Sequence, residues 1–182
     1  MSKHTVNLGR RRTLGLRVAS VVAVAAGLAA SLGAGQAYAA SLSNGGFETG
    51  SLSGWTASGT TSTSATNYRS GLYAAQLGSS LPTKGASSIA QTFTVPAGAT
   101  QASAWYLMTC NSRLDYLIIS ITDVSARRTT TLVNKVCTNN YTWTQVTAPV
   151  TAGKNYTWTF TNYDDNKAGT ATYTDVDDVT VA

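Results

Sequence analysis

The sequence predicts an all-β fold, a two-sheet antiparallel β-sandwich, on three observations. Apolar residues recur with period two, turn-forming clusters separate the segments that alternate, and no run of ten residues carries helical spacing. Composition agrees, with 27 threonines and 16 serines among the 143 residues from Ala40 to Ala182. Threonine favours strands and serine serves turns. Tryptophan, tyrosine and aliphatic residues recur along the whole of this stretch, so it has the apolar content of a packed core that a disordered chain lacks.

The chain opens on a leader. Lys3, Arg10, Arg11, Arg12 and Arg17 flank or precede an apolar run from Val18 to Leu32, and Ala37-Tyr38-Ala39 is a small-x-small cleavage site. Residues 1–39 therefore read as a cleaved export signal, and the product as a secreted protein. Arg11-Arg12-Thr13-Leu14 loosely resembles a twin-arginine signal, with the general secretory route as the alternative. The run falls short of the ~20 apolar residues of a membrane span. Five of the thirteen basic residues lie in this leader, leaving eight against eight acidic ones. The remainder is electrically neutral, which excludes nucleic acid and membrane as partners chosen by charge. Residues 40–182 suit one domain with a substantial core, read as a free-standing monomeric module.

Each strand-like segment has its own pattern. Tyr73, Ala75 and Leu77 share a face, as do Ile89, Phe93 and Val95 with Gln91 among them; so do Leu117, Ile119 and Ile121, and Tyr156, Trp158 and Phe160. Thr157, Thr159 and Thr161 fall on the opposite, solvent face of the last group. Turns are expected at 81–85, 96–98, 152–155 and 164–169, where Pro, Gly, Asn and Asp gather. Eight or nine short strands joined this way make a sandwich of jelly-roll or immunoglobulin-like topology. An immunoglobulin domain pins a core tryptophan between its cysteines, whereas Trp105 precedes Cys110 and Trp143 follows Cys137. That placement favours the jelly roll. In an oxidising compartment the two cysteines are expected to form a disulfide, Cys110 to Cys137.

The only histidine is His4, in the leader. Past the leader there is no Ser-His-Asp triad, no Cys-His pair and no histidine-ligated metal. Asp115, Asp123, Asp164 and Asp165 are carboxylates from which a glycosidase pair would be drawn, but nothing in their spacing demands one. The protein is read as non-catalytic, with a small glycan-active enzyme as the third reading behind two binding functions. Trp55 and Trp158 are expected in the core. Tyr106, Tyr116 and Tyr163 are the candidate ligand-facing aromatics, and Asp164, Asp165 and Asn166 form a polar loop suited to hydroxyl groups.

Calcium suits the oxygen donors better than any other cofactor, because it accepts six to eight carboxylate and carbonyl oxygens in irregular geometry. Glu48 lies beside Gly46 in Asn44-Gly45-Gly46-Phe47-Glu48-Thr49-Gly50, and Asp177 shares parity with Val179 and Val181, which would point it inward. The alternative for Glu48 and Asp177 is hydrogen bonding to turn amides.

These end segments, with Gly54-Trp55, Tyr73 to Leu77, Trp143 and Asp177-Asp178-Val179, resemble the carbohydrate-binding modules of families 4, 9 and 22, galactose-binding-like jelly rolls. Trp105-Tyr106 before Cys110, Lys135-Val136-Cys137-Thr138-Asn139, Trp143-Thr144-Gln145-Val146 and Tyr163-Asp164-Asp165-Asn166 are similar to a domain appended to secreted actinobacterial hydrolases and peptidases. The resemblance implies a structural calcium on Gly46, Glu48 and Asp177, with a further oxygen from the segment Asn67-Tyr68-Arg69-Ser70, assigned to Ser70. It implies a polysaccharide or glycan ligand; the likeness to peptidase-appended domains gives the second reading, a module that binds a secreted or cell-surface protein.

Overall fold

A computed structural model describes residues 41–139 and 141–182, together with Met1; the rest of the expected leader, 2–39, lies outside the described residues. Ten strands follow in order: β1 (Thr56–Ser58), β2 (Thr61–Ser64), β3 (Ala74–Gly78), β4 (Lys84–Thr94), β5 (Gln101–Thr109), β6 (Tyr116–Asp123), β7 (Arg128–Val136), β8 (Thr144–Pro149), β9 (Asn155–Asp165) and β10 (Tyr173–Val181). They form two five-stranded sheets, β1-β4-β9-β6-β7 and β2-β3-β10-β5-β8, with every pairing antiparallel. This is the expected jelly-roll sandwich. All ten strands belong to one compact unit.

The alternation places the core. Along β9, Tyr156, Trp158, Phe160, Asn162 and Asp164 are buried while the residues between them are half-exposed. Ile89 and Phe93 of β4 and Leu117, Ile119 and Ile121 of β6 join them from the same sheet; Ala75, Leu77, Ala104, Met108 and Val176 face them from the other. Trp158 stacks on Phe160 with centroids 5.5 Å apart, and Trp55 closes on Phe160 at 6.1 Å. Each such side chain contributes about 1.5–3 kcal/mol by leaving water. Most polar groups caught between the sheets are paired: Thr174 donates to Asn162 Oδ1 at 2.9 Å, and Gln91 bonds Ser43 and Gly54 through both ends of its amide, while the buried Trp158 indole N–H has no partner.

The first and last segments meet, as their motifs imply. Val179 N–H donates to Gly45 O at 2.9 Å. A Cβ on Gly45 would lie 2.0 Å from Val179 O, so only glycine lets the two backbones approach this closely. Phe47 is fully buried beside Trp55, whose indole N–H donates to Asn44 O at 3.2 Å. Trp55 and Trp158 are both core residues, as expected.

The expected disulfide joins Cys110, just past β5, to Cys137, just past β7. It ties an inner strand of one sheet to the edge strand of the other across 27 residues of chain. Loop closure of this length stabilises by about 3 kcal/mol in the chain-entropy description. Replacing both cysteines by serine is expected to lower the urea-unfolding free energy by about that amount. An unchanged midpoint would show that the crosslink constrains nothing the fold needs.

Candidate functional site

The outer faces of the two sheets differ. On the sheet β1-β4-β9-β6-β7, the residues out of phase with the core are Lys84, Ala86, Ser88, Ala90 and Thr92 on β4, Thr157, Thr159, Thr161 and Tyr163 on β9, and Tyr116, Ile118, Ser120 and Thr122 on β6. Tyr116 and Tyr163 are direct cross-strand partners. Their rings stack with centroids 5.0 Å apart and planes 7° from parallel. Because Tyr116 covers one face of Tyr163, its other face is on the β4 side, where its register partner is Ala86. A row of small side chains, Ala86, Ser88 and Ala90, runs along that side, with Thr161 and Thr159 as the register partners of Ser88 and Ala90. Two of the sequence-derived ligand candidates are thus brought together.

Tyr106 is not with them. Its partner Val176 belongs to the core, so Tyr106 takes the inner face of β5, where it packs on the core. Burial raises its hydroxyl pKa, with a hydrogen bond to Thr144 acting in the opposite direction. The residue on the outer face is Trp105, and it too is covered: the Arg69 guanidinium lies over its ring, 3.8 Å from the centroid.

Arg69 belongs to the segment between β2 and β3 that lies over the part of the second sheet's outer face formed by Asp175, Asp177 and Trp105. Asp175 and Asp177 lie beneath it, both fully buried. Asn67 Nδ2 and Gln76 Nε2 donate to Asp175 at 3.2 and 3.1 Å. The amides of Arg69, Ser70 and Asp178 donate to Asp177 at 2.8, 3.2 and 2.7 Å. Arg69 also pairs with Asp178, which accepts from Ser70 Oγ at 2.7 Å. Glu48 accepts from Leu72 N and Tyr73 N, and its carboxylate occupies the space a Cβ on Gly71 would need.

Asp177 is buried as expected, yet it does not point between the sheets. Val176 pairs with Ala75 and Tyr106 on the inner face, which sends Asp175 and Asp177 outward. The register of β10 on β5 shifts between Asp177 and Thr180, with Asp178 at φ +46°. This bulge inverts the phase, so Val179 returns to the core although it shares odd numbering with Asp177. Gly46, Glu48, Ser70 and Asp177 do gather: a Cβ on Gly46 would lie 3.7 Å from Glu48 Cγ and 3.9 Å from Asp177 Oδ1. Turn amides, however, satisfy both carboxylates, and Arg69 supplies a positive charge.

A second acidic group gathers at the end of the sandwich where β6 begins and β9 ends. One carboxylate oxygen from each of Asp115, Asp164 and Asp165 lies within 4.8 Å of the others, and Asp115 and Asp164 are buried. Asp115 accepts from Asp165 N at 2.7 Å and Thr172 Oγ1 at 2.6 Å. Asp164 accepts from Thr83 N, Asn166 N and Thr172 N, and Asp165 from Lys167 N and Ser112 Oγ. No cationic side chain is among these partners. An all-oxygen set with this much negative charge fits a hard cation. It also corrects the reading of Asp164 as a hydroxyl-binding loop residue: both its oxygens fasten the loop, and β9 extends through Asp165. Asn166 is exposed and left-handed at φ +65°. Asp123 lies apart, its pKa lowered by the Ala126 amide and by Lys154.

No family model matches this sequence, and no curated protein matches it. Solved structures do match. A family 61 carbohydrate-binding module in complex with β-1,4-galactotriose is 19% identical, aligned over 78% of this chain and 96% of that one, with a TM-score of 0.58. A family 16 carbohydrate-binding module is 16% identical over 76% of this chain and 96% of that one, with a TM-score of 0.52. The enzymatically active domain of tailspike protein 4 from bacteriophage CBA120 is 16% identical with a TM-score of 0.53, over 79% of this chain but 21% of that one. The chain shares the jelly-roll fold of these carbohydrate-binding modules.

Burial drives the pKa of Asp175 up to about 7 against the opposing hydrogen bonds of Gln76 and Asn67, and it raises Asp177 as well. The folded state then holds the Asp175 proton more tightly than the unfolded chain does. Its contribution to stability is complete below the ordinary value of 3.8 and is lost as pH rises through about 7. Asp175→Asn is expected to remove this part of the slope, on the order of a few kcal/mol at most. Unfolding free energies from pH 4 to 8 that run parallel in the two proteins would refute it.

Proposed function

We propose that this protein is a secreted, non-catalytic carbohydrate-binding module whose ligand lies on the outer face of the sheet β1-β4-β9-β6-β7. The observation that carries the reading is the stacked Tyr116–Tyr163 pair beside a row of small residues. A pyranose presents an apolar C–H face and a rim of hydroxyls. Tyr163 offers the first an aromatic surface held rigid by its neighbour, and Ser88, Thr159 and Thr161 offer the second hydroxyl partners. Secretion rests on the leader and agrees with the disulfide. Binding without turnover agrees with carboxylates that are buried and engaged in fastening loops.

A β-linked galactan is the first ligand to test, because the family 61 neighbour was solved with β-1,4-galactotriose. Retention on insoluble and immobilised polysaccharides is the direct assay. Tyr163→Ala is expected to weaken binding by about tenfold, the loss of roughly 1.4 kcal/mol of stacking, without lowering Tm by more than a few degrees. Full retention by that variant would move the ligand off this face.

Calcium is proposed as a structural ion on Asp115, Asp164 and Asp165, where three carboxylates converge without a cationic partner. The group Gly46, Glu48, Ser70 and Asp177 is the second position, with turn amides and Arg69 already meeting its charge. Chelation is expected to lower Tm by several degrees, corresponding to about 2–3 kcal/mol of linked binding energy. Asp115→Asn should abolish that sensitivity and Asp177→Asn should leave it. A melting curve indifferent to chelator removes the metal from both places.

A further inference from the structure

Lys135 extends the aromatic stack into a third rung. Its Nζ lies 4.9 Å from the centroid of Tyr116, on the ring face away from Tyr163. The order across the sheet is thus Lys135 on β7, Tyr116 on β6 and Tyr163 on β9. We propose that this lysine makes the module selective for an anionic glycan, one whose rings carry a uronate carboxylate or a sulfate ester, and this rests on the carbohydrate-binding reading of the same face.

The backbone argues that the position is built. Between the pairs Leu117 with Val136 and Ile119 with Val133, β6 advances by two residues and β7 by three. The extra residue is a β-bulge, and Lys135 within it has φ +49°, a conformation that costs a non-glycine residue. Val133 and Val136 both keep their contact with the core, so Asn134 and Lys135 are consecutive residues on the outside. Two residues later the strand is fixed by Cys137 to Cys110. A lysine in an edge strand also blocks edge-to-edge pairing, but that needs only a charge at the edge. It does not call for a left-handed backbone that turns the ammonium group onto the face.

The charge is uncommitted. Among the described residues the ion pairs are Arg69 with Asp178 and Lys154 with Asp123, and Lys135 is in neither. The acidic residue on the same face is Asp165, two positions past Tyr163, and its oxygens accept from Lys167 N and Ser112 Oγ. A sugar stacked on Tyr163 belongs to a chain long enough to pass over the tyrosine edges, which brings an acidic substituent of a neighbouring ring to the ammonium group. A compact point charge of this kind takes carboxylate and sulfate alike.

Affinity electrophoresis of the protein in gels containing a polyuronate, a sulfated galactan or a neutral galactan tests this, with Tyr163→Ala, Lys135→Gln and Lys135→Arg alongside. The expected result is binding to a carboxylated or sulfated polymer about tenfold tighter than to the neutral one, weakened by added salt. Which of the two acidic gels retards the protein identifies the acid. Lys135→Gln should fall to the neutral level while Lys135→Arg keeps the preference, and matched Tm values would exclude misfolding. Equal retardation in all gels with Lys135→Gln unchanged overturns the anionic preference and leaves glycan binding standing. An anionic preference that survives Lys135→Gln overturns the assignment to this residue. No retardation in any gel overturns both readings.

Discussion

The packing of β9 against β10 assigns every other residue its side. Trp158, Phe160 and Val176 all belong to the core between the sheets, and Thr174 hydrogen-bonds Asn162 across the same gap. Once these residues are inward, the pleat fixes their neighbours outward, and antiparallel pairing carries that decision from β9 to β4 and β6 and from β10 to β3 and β5. The stacked tyrosines, the row of small residues and the covered carboxylates are all consequences of one phase set in the middle of the molecule.

This constraint explains what could be read from the sequence. Strands with unbroken alternation, such as Ile89 to Val95 and Tyr156 to Phe160, announced both their existence and their buried face, because each core contact repeats every second residue. The meeting of the ends was legible too, through Glu48 in a glycine-rich turn set against the acidic last strand and through the resemblance that joins them, while the close approach of Gly45 to Val179 emerged only in the structure. Asp177 was placed on the wrong side of β10 because the bulge at Asp178 shifts the phase by one, and a single extra residue leaves no compositional mark. Lys135 was overlooked for the same reason. The Asp115 group was legible in part. Both tyrosines were singled out as ligand residues, and pairing Tyr116 with Tyr163 in antiparallel register sets Asp115 against Asp164. The missing step was the strand order, which depends on contacts between residues far apart in the chain.

Carboxylates in this molecule are settled in different ways by what each location supplies. On the outer face of the second sheet, a loop brings backbone amides, side-chain amides and one arginine, so Asp175, Asp177 and Asp178 are covered and satisfied. At the end of β9 the donors are amides and hydroxyls alone, and the charge of three aspartates accumulates. The contrast comes down to Arg69. Its guanidinium balances the acid beneath it and lies over Trp105, whereas Gln145, Thr147 and Pro149 on β8 and Thr180 on β10 stay exposed on the same face.

The alternation has a consequence for how such a protein changes over time. On β4, the outward residues Ala86, Ser88 and Ala90 alternate with Ser87, Ile89 and Gln91, which hold the interior. The proposed binding surface and the interior are written on the same strand in separate registers. Substitutions in one can accumulate without disturbing the other, so a lineage carrying this domain can drift from one surface chemistry to another while its interior stays under selection. Such a chain keeps its architecture long after its sequence has left its relatives behind.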